Sequence, residues 1–207
     1  MGCIVVKNKL WRFGDSYSLT SKDFNHIEQN HSTYIAEHFN LELVHLGQGG
    51  LSNLEIFNKI LSNSQKYKKG DMLLINFASR SRFAIVENDE IIKINGGETD
   101  MNNQTIRNGV LSNLVIPISD IIFYLIKPFL ELLIKKGIRV YNFYNDVDRE
   151  DGLVSTKIKN ELIFDVNVGF IQWISDNGYE DLSPNGNIHY LVGKQKEIAE
   201  EIINKIS

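Results

Sequence analysis

Short apolar runs alternate along this chain with amphipathic stretches of helical period, and that alternation restricts it to an α/β domain with a mostly parallel sheet. Runs at Lys9–Phe13, Leu41–Leu46, Met72–Phe77 and Ile138–Tyr144 predict strands, each followed by turn residues. Helices are predicted near Ser32–Phe39, Asn53–Ser64, Ser119–Lys136, Asn167–Ser175 and Val192–Ile206. In the last of these, Val192, Gln195, Ile198, Ala199, Ile202, Ile203 and Ile206 form a mainly apolar stripe at helical spacing, with Lys and Glu on the other face. Pro128 falls inside the most apolar helix and is expected to kink or divide it.

Two runs depart from the alternation. Phe83–Val86 and Glu90–Ile94 flank Asn88-Asp89, which predicts a hairpin. The stretch from Asn95 to Ser112 is rich in Gly, Asn and Thr, and a loop of that length is usually mobile or functional. Residues 83–118 are therefore expected to form an insertion beside the carboxyl edge of the sheet, where α/β ligands bind. With no internal repeat or interdomain linker, residues 1–207 are expected to form a single domain.

Composition excludes several functions. A net charge of −4 and a pI near 5.8 argue against a protein that grips nucleic acid by its phosphates. The Lys66–Lys69 cluster reads as a solvated helix end. Cys3 is the single cysteine, so neither a disulfide framework nor a thiolate zinc site is available. His26, His31, His38 and His45 match no familiar ligand spacing, so no metal is expected, and Asp146, Asp148, Glu150 and Asp151 lack the EF-hand pattern. The stretch 114–134 is interrupted by Asp120, Lys127, Pro128 and Glu131, a poor membrane span. No apolar signal-peptide core follows Met1, and a cytoplasmic location is the expectation.

The chemistry-bearing segment is Phe13-Gly14-Asp15-Ser16-Tyr17-Ser18, which ends a strand and sets a serine on the turn that follows. Gly14 permits a sharp turn, and Ser16 there reads either as a nucleophile or as an ordinary helix cap. Three further segments bear on that choice. Leu46-Gly47-Gln48-Gly49-Gly50-Leu51-Ser52-Asn53 is a glycine-rich turn between strand and helix that can expose a backbone N–H to an oxyanion. It lacks the GK[ST] ending of a phosphate loop. Asn76-Phe77-Ala78-Ser79-Arg80-Ser81-Arg82 offers hydroxyls and two guanidinium groups at a strand's end. Pro184-Asn185-Gly186-Asn187-Ile188-His189 precedes the final helix.

In this order the segments resemble the SGNH hydrolase family, also called the GDSL esterases and lipases, from Gly14 to Ala199. GDSYS at Gly14–Ser18 matches the family's GDSxS block. Gly50 matches the second block, and His189, followed by Gly193 and Ala199, matches the last. The resemblance implies a flavodoxin-like, three-layer α/β/α domain that performs serine-based acyl transfer without a cofactor. Carried over by position, Ser16 attacks an ester carbonyl, His189 takes its proton, and the N–H groups of Ser16 and Gly50 bind the oxyanion. Asp15, Asn53 and Arg82 are candidates for substrate contact. The implied substrate is a small or carbohydrate-borne ester, an O-acetyl group in the first place.

Two positions depart from the family pattern. Where the third block ends in an oxyanion-binding asparagine, alignment of strand ends puts Arg80, flanked by Ser79 and Ser81, so Ser79 and Arg80 become the substitute donors. Where the family has an aspartate three residues before its histidine, this chain has Gly186, which leaves Asp181, Asp176 or a backbone carbonyl as candidates to orient His189. Other readings follow from these departures: a weakened SGNH-fold protein that binds a ligand at the same strand ends, or a transferase that passes the acyl group to a sugar. A flavodoxin-like nucleotide-binding domain is a further reading, but it has no phosphate-binding fingerprint and gives His189 no purpose.

Overall fold

The computed structural model of the protein describes residues 7–14, 30–78, 83–87, 90–94, 115–145, 169–179 and 194–207. Their elements follow one another as β1 (Lys9–Phe13), α1 (His31–His38), β2 (Glu42–His45), α2 (Asn53–Ser62), β3 (Met72–Phe77), β4 (Phe83–Glu87), β5 (Glu90–Ile94), α3 (Val115–Lys135), β6 (Arg139–Tyr144), α4 (Gly169–Asp176) and α5 (Gln195–Ile206). Strands β2, β1, β3 and β6 lie in that order in one parallel sheet, and β4 pairs with β5 in a separate antiparallel hairpin.

Parallel strands need long crossovers, and here helices supply them on both faces of the sheet. Alternate residues of the central strands therefore enter two different cores. Trp11 and Phe13 of β1 join Leu73, Ile75 and Phe77 of β3 on one face, where Ile56 and Ile60 of α2 and Ile126, Leu130 and Leu133 of α3 cover them. Leu10, Met72, Leu74 and Phe143 face the other way, beneath Ile35 and Ala36 of α1, Phe170 and Ile174 of α4, and Ile198, Ala199 and Ile202 of α5. Each such aliphatic or aromatic side chain contributes roughly 1.5–3 kcal/mol by leaving water. The result is the parallel α/β sheet anticipated from the alternation, with helices on both faces in the three-layer α/β/α arrangement that the resemblance implied.

Local signals set the element ends. The Asn30 side chain accepts from the Ser32 N–H and caps α1. Ser52 and Glu55 form a reciprocal capping box at the start of α2. At the amino edge of the sheet, the buried Asp71 carboxylate accepts from the backbone N–H groups of Lys9 and Lys68 and from the Trp11 indole, which fixes β1 against the start of β3.

Helix α3 corrects one expectation. It runs unbroken from Val115 to Lys135 with Pro128 inside, so the proline does not divide it. Ile126, Leu130 and Leu133 bury one flank on the sheet around Pro128, and that packing offsets the lost backbone hydrogen bond. The helix also starts earlier than predicted, because Pro117 falls in its first turn, where a missing N–H is harmless. Among the described residues, no helix is long and apolar enough to cross a membrane.

Candidate active site at the carboxyl edge of the sheet

Strand order reverses between β1 and β3, since β2 follows β1 on one side and the chain then crosses to the other. In open α/β sheets the crevice outside the carboxyl ends at such a reversal is where ligands bind. Here it lies between Gly14, just past β1, and Ala78, just past β3.

The rim of that crevice is tied together by backbone. Gln48 donates its N–H to the Gly14 carbonyl at 3.0 Å, which draws the glycine-rich turn after β2 against the end of β1. Asn145 donates to the Phe77 carbonyl at 3.2 Å and extends the β3–β6 ladder to the same level. Between them, Asn53 at the start of α2 donates from Nδ2 to the Ala78 carbonyl at 3.1 Å and accepts from the Ala78 N–H at 2.8 Å.

Two glycines make the rim possible. Gly14 has φ 155° and Gly50 has φ 74°, values that residues with a Cβ rarely adopt. At Gly50 that φ is the one required at the third position of a type II turn. Its N–H donates to no acceptor among the described residues. The capping box of Ser52 and Glu55 holds the chain directly after it.

Behind the rim lies a buried polar knot. Arg12 is wholly inaccessible to solvent. Its Nε donates to Ser32 Oγ at 3.1 Å, and Nη1 donates to the carbonyls of Phe13 at 2.9 Å and Leu74 at 3.3 Å. Nη2 lies 3.4 Å from His31 Nε2. The guanidinium also sits over the Phe143 ring, 5.2 Å from its centroid. Gln195, the first residue of α5, accepts at Oε1 from the His31 backbone N–H at 3.0 Å and lies 2.9 Å from His31 Nδ1.

These contacts define the His31 ring. An arginine only donates, so Nε2 is the acceptor. The backbone N–H identifies the Gln195 atom as oxygen, so Nδ1 carries the proton. The ring is neutral, and burial, together with the adjacent Arg12 charge, lowers its pKa to about 3.

Of the residues singled out from sequence, Gly50 and Asn53 stand on this rim with Gly14. Asn53 is engaged through both ends of its carboxamide by Ala78, which makes it a brace between α2 and β3. Asp15, Ser16, Ser79, Arg80, Arg82, Asp181 and His189 lie outside the described residues. Sequence reasoning overlooked the knot. Its signal was an arginine among Leu10, Trp11 and Phe13 in a strand whose neighbours are apolar, a place where a charge must have dedicated partners.

No protein-family model matches the chain, and no curated protein sequence does. Among solved structures, the protein YXIM of Bacillus subtilis aligns with a TM-score of 0.54 at 13% identity, over 97% of this chain and 56% of that one. This chain thus spans little more than half of that structure. A protein of Desulfitobacterium hafniense, described as lipolytic and of the G-D-S-L family, aligns at TM-score 0.45 and 11% identity, covering 96% of this chain and 99% of the other. A lipase/acylhydrolase of Enterococcus faecalis aligns at TM-score 0.45 and 10% identity, over 96% and 95% of the two chains. At such identities a structural likeness speaks of architecture, and it identifies this chain as an α/β domain built on the fold found in part of YXIM.

Proposed function

We propose that this chain is a divergent SGNH hydrolase that cleaves a carboxylic ester through an acyl-enzyme on Ser16, with His189 as the base. The observation that carries the reading is the Gly14–Gln48 hydrogen bond. It ties the glycine-rich turn that carries Gly50, at positive φ, to the strand end from which Ser16 follows by two residues in sequence. An acyl-transfer site needs a hydroxyl nucleophile next to preorganised donors, and this is the part of the fold where the two sequence blocks converge.

In the proposed reaction His189 removes the Ser16 proton as Oγ adds to the carbonyl carbon. The negative charge then forms on the carbonyl oxygen, facing the N–H groups of Ser16 and Gly50. Collapse expels the alcohol, which takes the proton back from His189, and water repeats the sequence to release the acid and free Ser16. Ser79 and Arg80 stand in for the family's asparagine as further donors, Asp181 orients His189, and Asp15 and Arg82 contact the substrate. A small ester, such as an O-acetyl group on a carbohydrate, suits this assignment. A cytoplasmic setting remains part of the reading.

Gly186, where the family has its aspartate, favours a second reading in which the same crevice binds a ligand with little or no turnover. A fluorophosphonate probe separates the two. The enzyme reading expects covalent labelling of Ser16 in the native chain and none in Ser16→Ala, with p-nitrophenyl acetate turnover rising as His189 loses its proton. A folded protein that neither labels nor turns over supports the binding reading instead.

A further inference from the structure

We infer that Arg12, His31 and Gln195 are positioning residues, a single buried hydrogen-bonded knot that fixes the segment bearing Ser16 against the segment bearing His189. The inference rests on the function proposed above and goes beyond it, since none of these residues belongs to the machinery assigned there.

The knot gathers three roots of the chain. Arg12 lies on β1, four residues before Ser16. His31 and Ser32 open α1, where the stretch that begins after Gly14 ends. Gln195 opens α5, six residues after His189. Arg12 joins the first root to the second through Ser32 Oγ and His31 Nε2, while Gln195 joins the second to the third through both N–H groups of His31. Arg12 and His31, which precede and follow the stretch 15–29 in sequence, and Gln195, which follows the stretch 180–193, are therefore held at a common point.

The chemistry suits positioning better than bulk stability. Desolvating a guanidinium is expensive, and apolar side chains of similar volume often hold such a contact equally well. The same face of the sheet already has Phe143, Phe170, Ile35 and Ile198 for that purpose. What polar groups add is direction. In low-dielectric surroundings a satisfied polar network is directional and favours one arrangement of its members. His31 transmits position only as the neutral ring with hydrogen on Nδ1, because that form alone accepts from Arg12 while donating to Gln195.

The test compares Gln195→Met, His31→Phe and their double variant with the native chain, using fluorophosphonate labelling of Ser16 and p-nitrophenyl acetate turnover. Displacing one catalytic segment relative to another by a fraction of an ångström costs about tenfold or more, so each single variant should lose that much labelling rate and kcat. KM should change by less than about twofold, as expected when only the reacting geometry is disturbed. The double variant should be no worse than the poorer single one. Gln195→Glu, which keeps an acceptor for His31, should recover most of the loss. Native labelling rates in the single variants, or a raised KM with unchanged kcat, would overturn the inference.

Amide exchange gives a reading independent of catalysis. Gln195→Met should speed exchange of the Ser32 amide, on the neighbouring root, and of the Gln48 amide, which bonds Gly14 beside the root beyond it, and leave the Gly70 amide, which bonds the Gly137 carbonyl elsewhere in the chain, unchanged. Faster exchange confined to α5 overturns the knot even in an inactive protein. Absent labelling of the native chain, with exchange spreading as expected, instead removes the proposed ester hydrolysis and leaves the knot in place.

Discussion

Asn53 and Ala78 hold one another through two reciprocal hydrogen bonds, from the Asn53 amide to the Ala78 carbonyl and from the Ala78 N–H back to Asn53 Oδ1. This side chain does for the end of β3 what another strand would do, and it ties the helix after the glycine turn to the far wall of the crevice. Asn53→Ala removes both bonds and leaves two backbone groups short of partners, a loss of about 1–3 kcal/mol. The expected outcome in thermal unfolding is a midpoint lower by roughly 2–10 °C for a chain of this length. Turnover should fall as well, because Ala78 leads directly to Ser79 and Arg80.

Asp71 provides the opposite case, a residue critical to the sheet and remote from the crevice. Its carboxylate satisfies three donors at the amino edge: the N–H groups of Lys9 and Lys68 and the Trp11 indole. Asp71→Ala should cost about 3 kcal/mol or more in urea unfolding, since hydrogen bonds to a charged group are each worth about 1.5–3 kcal/mol. The kcat per folded molecule should stay at the native value. A loss of kcat with stability preserved would show that the two edges are coupled.

The reach of sequence reasoning follows from which forces act locally. Strands β1 and β3 coincide with their predicted spans, because runs such as Met72–Phe77 are apolar apart from Asn76 and are bounded by turn residues on each side. Gly50 was legible as a turn glycine, since only a missing Cβ makes φ 74° easy. Of the two outcomes expected at Pro128, division of helix α3 is the one that fails, because tertiary packing by Ile126 and Leu130 bears on that point and packing leaves no local mark. The knot was illegible for a similar reason. Arg12, His31 and Gln195 are brought together by topology across gaps of 19 and 164 residues, and nothing in their spacing announces it.

Asn142 lies fully buried on β6, level with Ile75, and neither the nitrogen nor the oxygen of its carboxamide has a hydrogen-bonding partner among the described residues. A buried amide left in that state costs about 1–3 kcal/mol. Asn142→Val removes the polar atoms and sets a branched apolar side chain beside Ile75 in a strand that favours it. The expected outcome is a gain of about 1 kcal/mol or more in urea unfolding. A loss of that size would mean that the carboxamide makes a bond in solution.

Gly50→Ala tests the turn itself. A residue with a Cβ at φ 74° costs about 1–2 kcal/mol, and the turn relieves that strain by rotating the peptide whose N–H is proposed to meet the oxyanion. Loss of one such donor lowers kcat by about 10²–10³. The variant should therefore fall by about a hundredfold in p-nitrophenyl acetate turnover, with a thermal midpoint lower by only about 5 °C. Near-native kcat would remove Gly50 from the proposed oxyanion hole.

His31 makes the stability of the fold depend on pH in a defined window. Its pKa is lowered from 6.5 to about 3, first by burial and then by the Arg12 charge, with His45 adding a smaller push downward and the Gln195 hydrogen bond opposing it. Above pH 6.5 the ring is neutral whether the chain is folded or not, and its contribution to stability is complete. As pH falls below 6.5, the unfolded chain binds a proton at this ring while the folded chain does not, so the unfolded state gains. The loss proceeds at up to about 1.4 kcal/mol per pH unit and ends near pH 3, where the folded ring also protonates. Protonation there puts hydrogen on Nε2, removes the acceptor facing Arg12 and sets two cations against each other. Urea unfolding at pH 7, 6, 5 and 4 should show the native chain losing stability more steeply than His31→Phe, whose position carries no titrating group. Parallel curves for the two proteins would mean that His31 titrates alike in both states, which is incompatible with a neutral ring locked between Arg12 and Gln195.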